Sequence, residues 1–203
     1  MKPILYLASK SPSRQYLLRE SNIPFTLLDQ SADETVCDWS LPLSEVVRSI
    51  ARHKMNSVIL PQGQEGQVAF ILTADTLNQD AAGTIQGKPA DKAAARQMIA
   101  ASRPYVTVAT AFCLKKITYT DGAWVTVAER DEVVTSRCEF DIPEQWLERY
   151  FAESVIGFQA AGGMAVEAYG MQFLRSIQGS YSAVIGLPLY EVRTALDALA
   201  FFD

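Results

Sequence analysis

The chain has 203 residues, 49% hydrophobic and 20% charged, with a formal net charge of −5. That balance, with no run of lysine and arginine, excludes the long basic footprint that a nucleic-acid polymer requires. It leaves room for a small anionic ligand, which needs only two or three local cations. Cys37, Cys113 and Cys138 are few, odd in number and far apart, and His53 is the only histidine. Neither a disulfide framework nor a zinc spacing is present, and no G-x-S-x-G elbow supports a serine hydrolase. No stretch reaches membrane-spanning length and no basic-then-apolar leader opens the chain. A cytoplasmic protein of one domain, 1–203, with no membrane and no nucleic-acid polymer as partner, is therefore expected.

Taken in order, Ile4 to Ala8 is a short apolar strand, followed by Ser9-Lys10-Ser11-Pro12-Ser13-Arg14. Pro12 suits the first position of a helix and Ser11 its N-cap, so the chain reads strand, hydroxyl-rich turn, helix. Such a helix end presents unpaired N–H groups to an anion. Arg14 in the first turn opposes the helix dipole unless a phosphate is bound there; the alternative is a solvated arginine. Phe25 to Leu28 is a second strand, and Asp29 to Asp38 a polar loop in which Asp33 and Glu34 are either solvated or functional. Leu43, Val46, Val47, Ile50, Ala51, Met55 and Val58 follow helical spacing. Lys54 lies beside that stripe, either snorkelling to the surface or turned to a function.

Val68 to Ala74 is a continuous apolar run and reads as a central strand buried on both faces. Asp75 and Thr76 fall at its carboxyl end, where α/β sheets gather ligands. Asp75 is a metal ligand, a general base or the closing residue of an Asx turn. Thr84 to Gln86 is a short strand before Gly87-Lys88-Pro89, and Asp91 caps a helix from Lys92 to about Ala101. Val106 to Ile117 is strand, Thr120-Asp121-Gly122 a hairpin turn, and Trp124–Val127 and Val133–Phe140 two further strands. A short helix follows Asp141-Ile142-Pro143. Ala160 to Gly163 is expected to be a flexible small-residue bend, Phe173 to Ile177 a strand, Gly179 to Ser182 a turn, and Gly186-Leu187-Pro188 opens the last helix. The alternation gives an α/β class, and the long hairpin implies a mixed sheet.

Arg14, Lys54 and Lys88 with Glu34 and Asp75 suit a polyphosphate–metal site, in which cations and a helix end hold phosphates and carboxylates hold Mg²⁺. The ordered set Ala8-Ser9-x-Ser11-Pro12-x-Arg14, Asp33-Glu34-Thr35, Ala51-x-x-Lys54, Ala74-Asp75-Thr76, Gly87-Lys88-Pro89, Ala161-Gly162 and Gly179-Ser180-Tyr181-Ser182 through Pro188 resembles the Maf family over nearly the whole chain. These are nucleoside triphosphate pyrophosphatases, once described as septum-formation inhibitors. The resemblance implies a Maf/ITPase-like fold, a mixed twisted sheet flanked by helices with two lobes and a central cleft. It also implies metal-assisted hydrolysis, with Mg²⁺ or Mn²⁺, of a nucleoside triphosphate to monophosphate and pyrophosphate.

Under it, Asp75, Glu34 and Lys88 are catalytic, Glu34 and Asp75 meet the metal, and Ser9, Ser11, Arg14, Lys54, Thr76 and Glu167 bind substrate. A small nucleotide is the partner, and a homodimer is compatible with the resemblance. The chain departs from the dTTP/UTP branch: Ala160 replaces a lysine, Met164 an aromatic residue, Tyr105 a histidine and Glu167 a glutamine. The glutamate is similar to the branch acting on 7-methylguanine nucleotides, which favours a purine-like base. A catalytically weak or inactive nucleotide-binding regulator of septum formation is the alternative, and retention of both Glu34 and Asp75 favours the enzyme.

Overall fold

The computed structural model describes residues 3–154, 156–157 and 160–203. Seven strands form one mixed sheet: β1 (Ile4–Leu7), β2 (Thr26–Leu27), β3 (Val68–Gln79), β4 (Ile85–Gln86), β5 (Val106–Thr120), β6 (Ala123–Phe140) and β7 (Leu174–Gln178). Their order is β2-β1-β3-β5-β6-β7, with β4 against β3. β1 runs parallel to β2 and β3; the remaining pairings are antiparallel. The helices are α1 (Pro12–Glu20), α2 (Leu43–Asn56), α3 (Lys92–Ala101), α4 (Leu147–Glu153), α5 (Tyr181–Ile185) and α6 (Leu189–Ala198). Among the described residues, no helix is long and apolar enough to cross a membrane.

The two-residue period of the strands sorts the core. Phe70, Leu72 and Ala74 of β3, with Phe112 and Leu114 of β5, pack against Leu17 and Leu18 of α1 and Val192 and Leu196 of α6. On the opposite face, Leu77, Ala109 and Ala111 meet Val46, Val47 and Ile50 of α2. Helix α2 has no side-chain N-cap at Pro42. Its position therefore depends on burial of that apolar stripe, each large side chain of which contributes about 1.5–3 kcal/mol. A further cluster, around α3, α4 and Val106 and Val108, lies farther along β5, and Ile185 packs against both it and the α1/α6 cluster.

Three expectations are corrected. Strand β3 does not end at Ala74 but runs on to Gln79, and Asp75 pairs in register with Ala111. Asp75 is thus a strand residue, which removes the Asx-turn reading. The two strands expected beyond the hairpin are one 18-residue strand. Its polar middle, Glu129 to Glu132, which falls between the two expected strands, continues the ladder with β5, and its charges are paired: Glu129 with Lys115 of β5 at 3.6 Å and Asp131 with Arg48 of α2 at 3.5 Å. The expected turn at Gly179 to Ser182 instead starts α5, with Ser180 as N-cap accepting from the Ala183 N–H.

The extension of β3 makes the cleft. β1 pairs with β3 only as far as Leu72, and β4 joins β3 only from Asn78. Between them, Thr73 to Leu77 have β5 as their one strand neighbour among the described residues, leaving a gap beyond the carboxyl end of β1.

Candidate active site

The residues that fill this gap come from both faces of the sheet. Asp75 belongs to the α2 face and Thr76 to the α1/α6 face, because consecutive strand residues point to opposite sides. The Thr73 hydroxyl donates to the Ala51 carbonyl at 2.8 Å, clamping α2 to β3 one turn before Lys54. Lys54 lies four residues beyond Ile50 on the buried stripe, so its stem is drawn into the core and its ammonium reaches Asp75 Oδ1 at 2.7 Å and Glu34 Oε1 at 2.9 Å. Lys54 is 7% exposed and Asp75 5%. Both are core positions, and the snorkelling reading of Lys54 is excluded. Asp75 Oδ2 is buried and has no hydrogen-bond partner among the described residues. Burial raises the Asp75 carboxyl above its ordinary range; Lys54 and Arg14 oppose this, and the Glu34 charge adds to it.

On the other side, Ser11 caps α1 with Pro12 in the first turn, as expected. Arg14 is not solvated. It is 9% exposed and donates through Nε to the Gly186 carbonyl at 2.8 Å, through Nη1 to Ser9 Oγ at 3.1 Å and through Nη2 to Thr76 Oγ1 at 3.2 Å. Desolvation pushes its pKa down, against the charges of Asp75 and Glu34. Ser9 Oγ also accepts the Ser11 N–H at 3.3 Å. With two lone pairs taken, the Ser9 hydroxyl has its proton left to offer a ligand.

Lys88 stands on the loop after β4, exposed and without an ion pair among the described residues. That loop is tied to the small-residue bend: the Gly162 N–H donates to the Gly87 carbonyl at 2.9 Å and Asn78 Nδ2 to the Ala161 carbonyl at 2.8 Å. The Tyr150 hydroxyl accepts from the Ala165 N–H at 2.8 Å and donates to the Gly163 carbonyl at 3.0 Å. The bend is therefore pinned rather than loose, and it delivers Glu167, which accepts from the Ser13 hydroxyl at 2.5 Å. Burial raises the Glu167 carboxyl and the Ser13 bond partly offsets the rise. Ser9, Ser11, Arg14, Glu34, Lys54, Asp75, Thr76, Lys88 and Glu167 all line one cleft of about 880 Å³.

Residues 4–199 match the Maf-like protein family. The chain belongs to the Maf family. Curated relatives named dTTP/UTP pyrophosphatase align with almost all of it. The protein of Halalkalibacterium halodurans is 34% identical over 99% of this chain and 98% of its own length. That of Hydrogenovibrio crunogenus is 31% identical over 100% of both, and that of Syntrophus aciditrophicus 35% identical over 93% and 86%. The reading of this Maf chain as an enzyme of nucleotide hydrolysis stands with them.

Two of the departures noted in the sequence, Ala160 and Met164, line the cleft of this Maf protein beside Glu167. Tyr105 lies outside the cleft lining, its ring covered by the Arg137 guanidinium at 3.5 Å. The structure adds Ser13, Asn78 and Thr110 to the site or its support, none of which the sequence singled out. For Thr110 a signal existed: it is a polar residue in the apolar run Val106 to Leu114.

The frame under Glu167 is tight. A Cβ on Gly170 would lie 1.7 Å from the Ala165 carbonyl oxygen, so the backbone itself would have to move. Gly170→Ala is expected to destabilise the protein by at least the ~1–3 kcal/mol typical of overpacking, as read by urea denaturation. An unchanged midpoint would mean that this segment is not held as described.

Proposed function

We propose that the protein hydrolyses a nucleoside triphosphate to its monophosphate and pyrophosphate, with Asp75 as the residue that receives the proton of the attacking water. One observation carries this reading: Asp75 Oδ2 is a buried carboxylate oxygen, unpartnered among the described residues, in a cleft that also holds Arg14, Lys54 and Lys88. Leaving such an atom without a partner is unfavourable, and a site built only for binding has no need of it. The water oxygen bonds to the α-phosphorus, the bond to the bridging oxygen of the β-phosphate breaks, and pyrophosphate departs as an anion. Asp75 Oδ2 takes the water's proton, while Oδ1 stays bonded to Lys54, which holds the carboxylate in orientation.

The chain's other residues neutralise and place the triphosphate. The Ser13 N–H, left over in the first turn of α1 after those of Ser11, Arg14 and Gln15 are bonded within the turn, and the Ser9 hydroxyl donate to phosphate oxygens. Lys88, unpaired among the described residues and exposed, is the cation free to follow the departing pyrophosphate. Arg14, held by three protein acceptors, acts as a fixed positive charge beneath the site rather than as a mobile fork. Thr76 stands beside it.

A divalent ion fits the donor set. No group of three or more His, Cys, Asp or Glu able to hold a metal occurs among the described residues. Magnesium characteristically takes one or two protein carboxylates and completes its shell with phosphate oxygens and water. Glu34 and Asp75 are the carboxylates that would hold it, and it would supply charge neutralisation on the phosphates.

For the base, the names of the relatives make dTTP and UTP the first substrates to test. A second reading, 7-methyl-GTP, is favoured by Glu167: an ionised carboxylate accepts from guanine N–H groups and attracts a cationic base. Pyrophosphate release over a panel of UTP, dTTP, GTP and 7-methyl-GTP with Mg²⁺ or Mn²⁺ tests both. Turnover of none, with binding intact, would establish a binding protein instead. Glu167→Gln is expected to move the ratio of kcat/KM for 7-methyl-GTP over UTP downward by about tenfold, the scale of one polar base contact. An unchanged ratio would remove Glu167 from base recognition.

A further inference from the structure

We propose that Thr110, which lies outside the cleft, is a positioning residue for the nucleotide site, acting through Thr76 on Arg14. The inference rests on the pyrophosphatase reading for its kinetic consequence but not for its geometry. Thr110 sits on β5 directly opposite Thr76 of β3, on the same face of the sheet, and is fully buried. Its hydroxyl donates to the Ala183 carbonyl at 2.7 Å and lies 2.9 Å from Thr76 Oγ1. A hydroxyl has one proton. Because that of Thr110 goes to Ala183, Thr76 must be the donor in the Thr76–Thr110 bond. The lone pairs of Thr76 are then turned toward Arg14, whose Nη2 donates to it at 3.2 Å.

The direction of the whole chain follows: Arg14 to Thr76, Thr76 to Thr110, Thr110 to the Ala183 carbonyl. Reversing the Thr76 hydroxyl would set its proton against a buried guanidinium. Thr110 also fastens α5 to β5. The turn that ends α5 carries the Gly186 carbonyl that accepts Arg14 Nε at 2.8 Å. Two of the three acceptors that hold the guanidinium are therefore set by Thr110, one by hydroxyl direction and one by placement. Any substrate group that meets Thr76 must itself be a donor.

The test is a double-mutant cycle on the full chain. Thr110→Val keeps the branched shape and removes the relay. It is expected to lower kcat/KM about tenfold, mainly through KM, since one buried hydrogen bond is at stake and Arg14 serves ground state and transition state alike. Thr110→Ser is expected to restore it. In a Thr76→Val background the same substitution should add less than about twofold, because the path is already cut. If the valine variant does not fold, Thr110→Ala is read in the same cycle.

Binding of a non-hydrolysable α,β-methylene triphosphate, measured by calorimetry, supplies a readout independent of turnover. Wild-type KM and affinity in Thr110→Val, or an equal loss in the Thr76→Val background, would overturn the proposal. Wild-type protein that turns over no nucleotide would instead overturn the pyrophosphatase reading, and the binding cycle would still decide the role of Thr110.

Discussion

Asp75→Asn is expected to reduce kcat by about 10³-fold, within the range that general-base catalysis supplies, while leaving the fold in place. The amide is close in shape to the carboxylate and still offers an oxygen to the Lys54 ammonium, now 2.7 Å from Oδ1. What disappears is the proton acceptor at the second oxygen. Steady-state pyrophosphate release, with circular dichroism and nucleotide titration as controls, reads the effect. Near-wild-type turnover in the asparagine variant would remove Asp75 from the chemistry.

A pH profile follows from the same residue. Burial raises the Asp75 carboxyl, with Lys54 and Arg14 working against the rise. A base with a raised pKa is lost to protonation earlier on acidification. The acid limb of kcat/KM is therefore expected to lie above the ~3.9 of an ordinary aspartate, and to vanish from the residual activity of Asp75→Asn.

Lys54→Ala carries the largest expected effect on stability. Lys54 joins two carboxylates and is itself buried. Removing one partner of a buried ion pair costs about 3–5 kcal/mol, because a charge is left uncompensated. The charge left here is Asp75, with Arg14 as its remaining cation. Without Lys54 its folded pKa rises further above the unfolded value. Between the unfolded and folded pKa the native state holds a proton that the unfolded state has released, so stability falls as pH rises through that window. The deficit of Lys54→Ala is thus expected to be full at neutral pH and to shrink on acidification through the raised pKa of Asp75. Urea denaturation at neutral pH and at an acidic pH where the wild-type fold persists checks the sign. An equal loss at both would place its origin in packing of the lysine stem rather than in charge.

Much of the site was legible because its signals are local. Ser11-Pro12 marks a helix start by chemistry confined to two residues, and α1 begins at Pro12 with Ser11 as its cap. The apolar spacing of Leu43 to Met55 identifies α2, and an apolar run identifies the central strand. The nine residues proposed for the site line a single cleft. Their roles in catalysis and binding are the matter of the mutations above.

Less was legible where the decision belonged to neighbours. Nothing local says that β3 continues through Asp75; it does so because β5 supplies a ladder as far as Gln79. Nothing local says that Glu129 to Glu132 are strand; Lys115 and Arg48 across the sheet and from α2 make those charges tolerable there. Whether Arg14 was solvated or buried also depended on acceptors from Gly186 and Thr76, 172 and 62 residues away.

The amino-acid sequence by itself determined the class of fold, the start of the first helix at Ser11-Pro12 and the family to which the chain belongs. Each of these follows from short-range pattern or from motifs in order. The tertiary structure alone decided which oxygen of Asp75 is free, that Lys54 rather than Arg14 pairs with it, and which way the Thr76 hydroxyl points. Those are properties of hydrogen-bond partners drawn from distant strands, and a hydroxyl or a carboxylate acquires its direction only when its partners are in place.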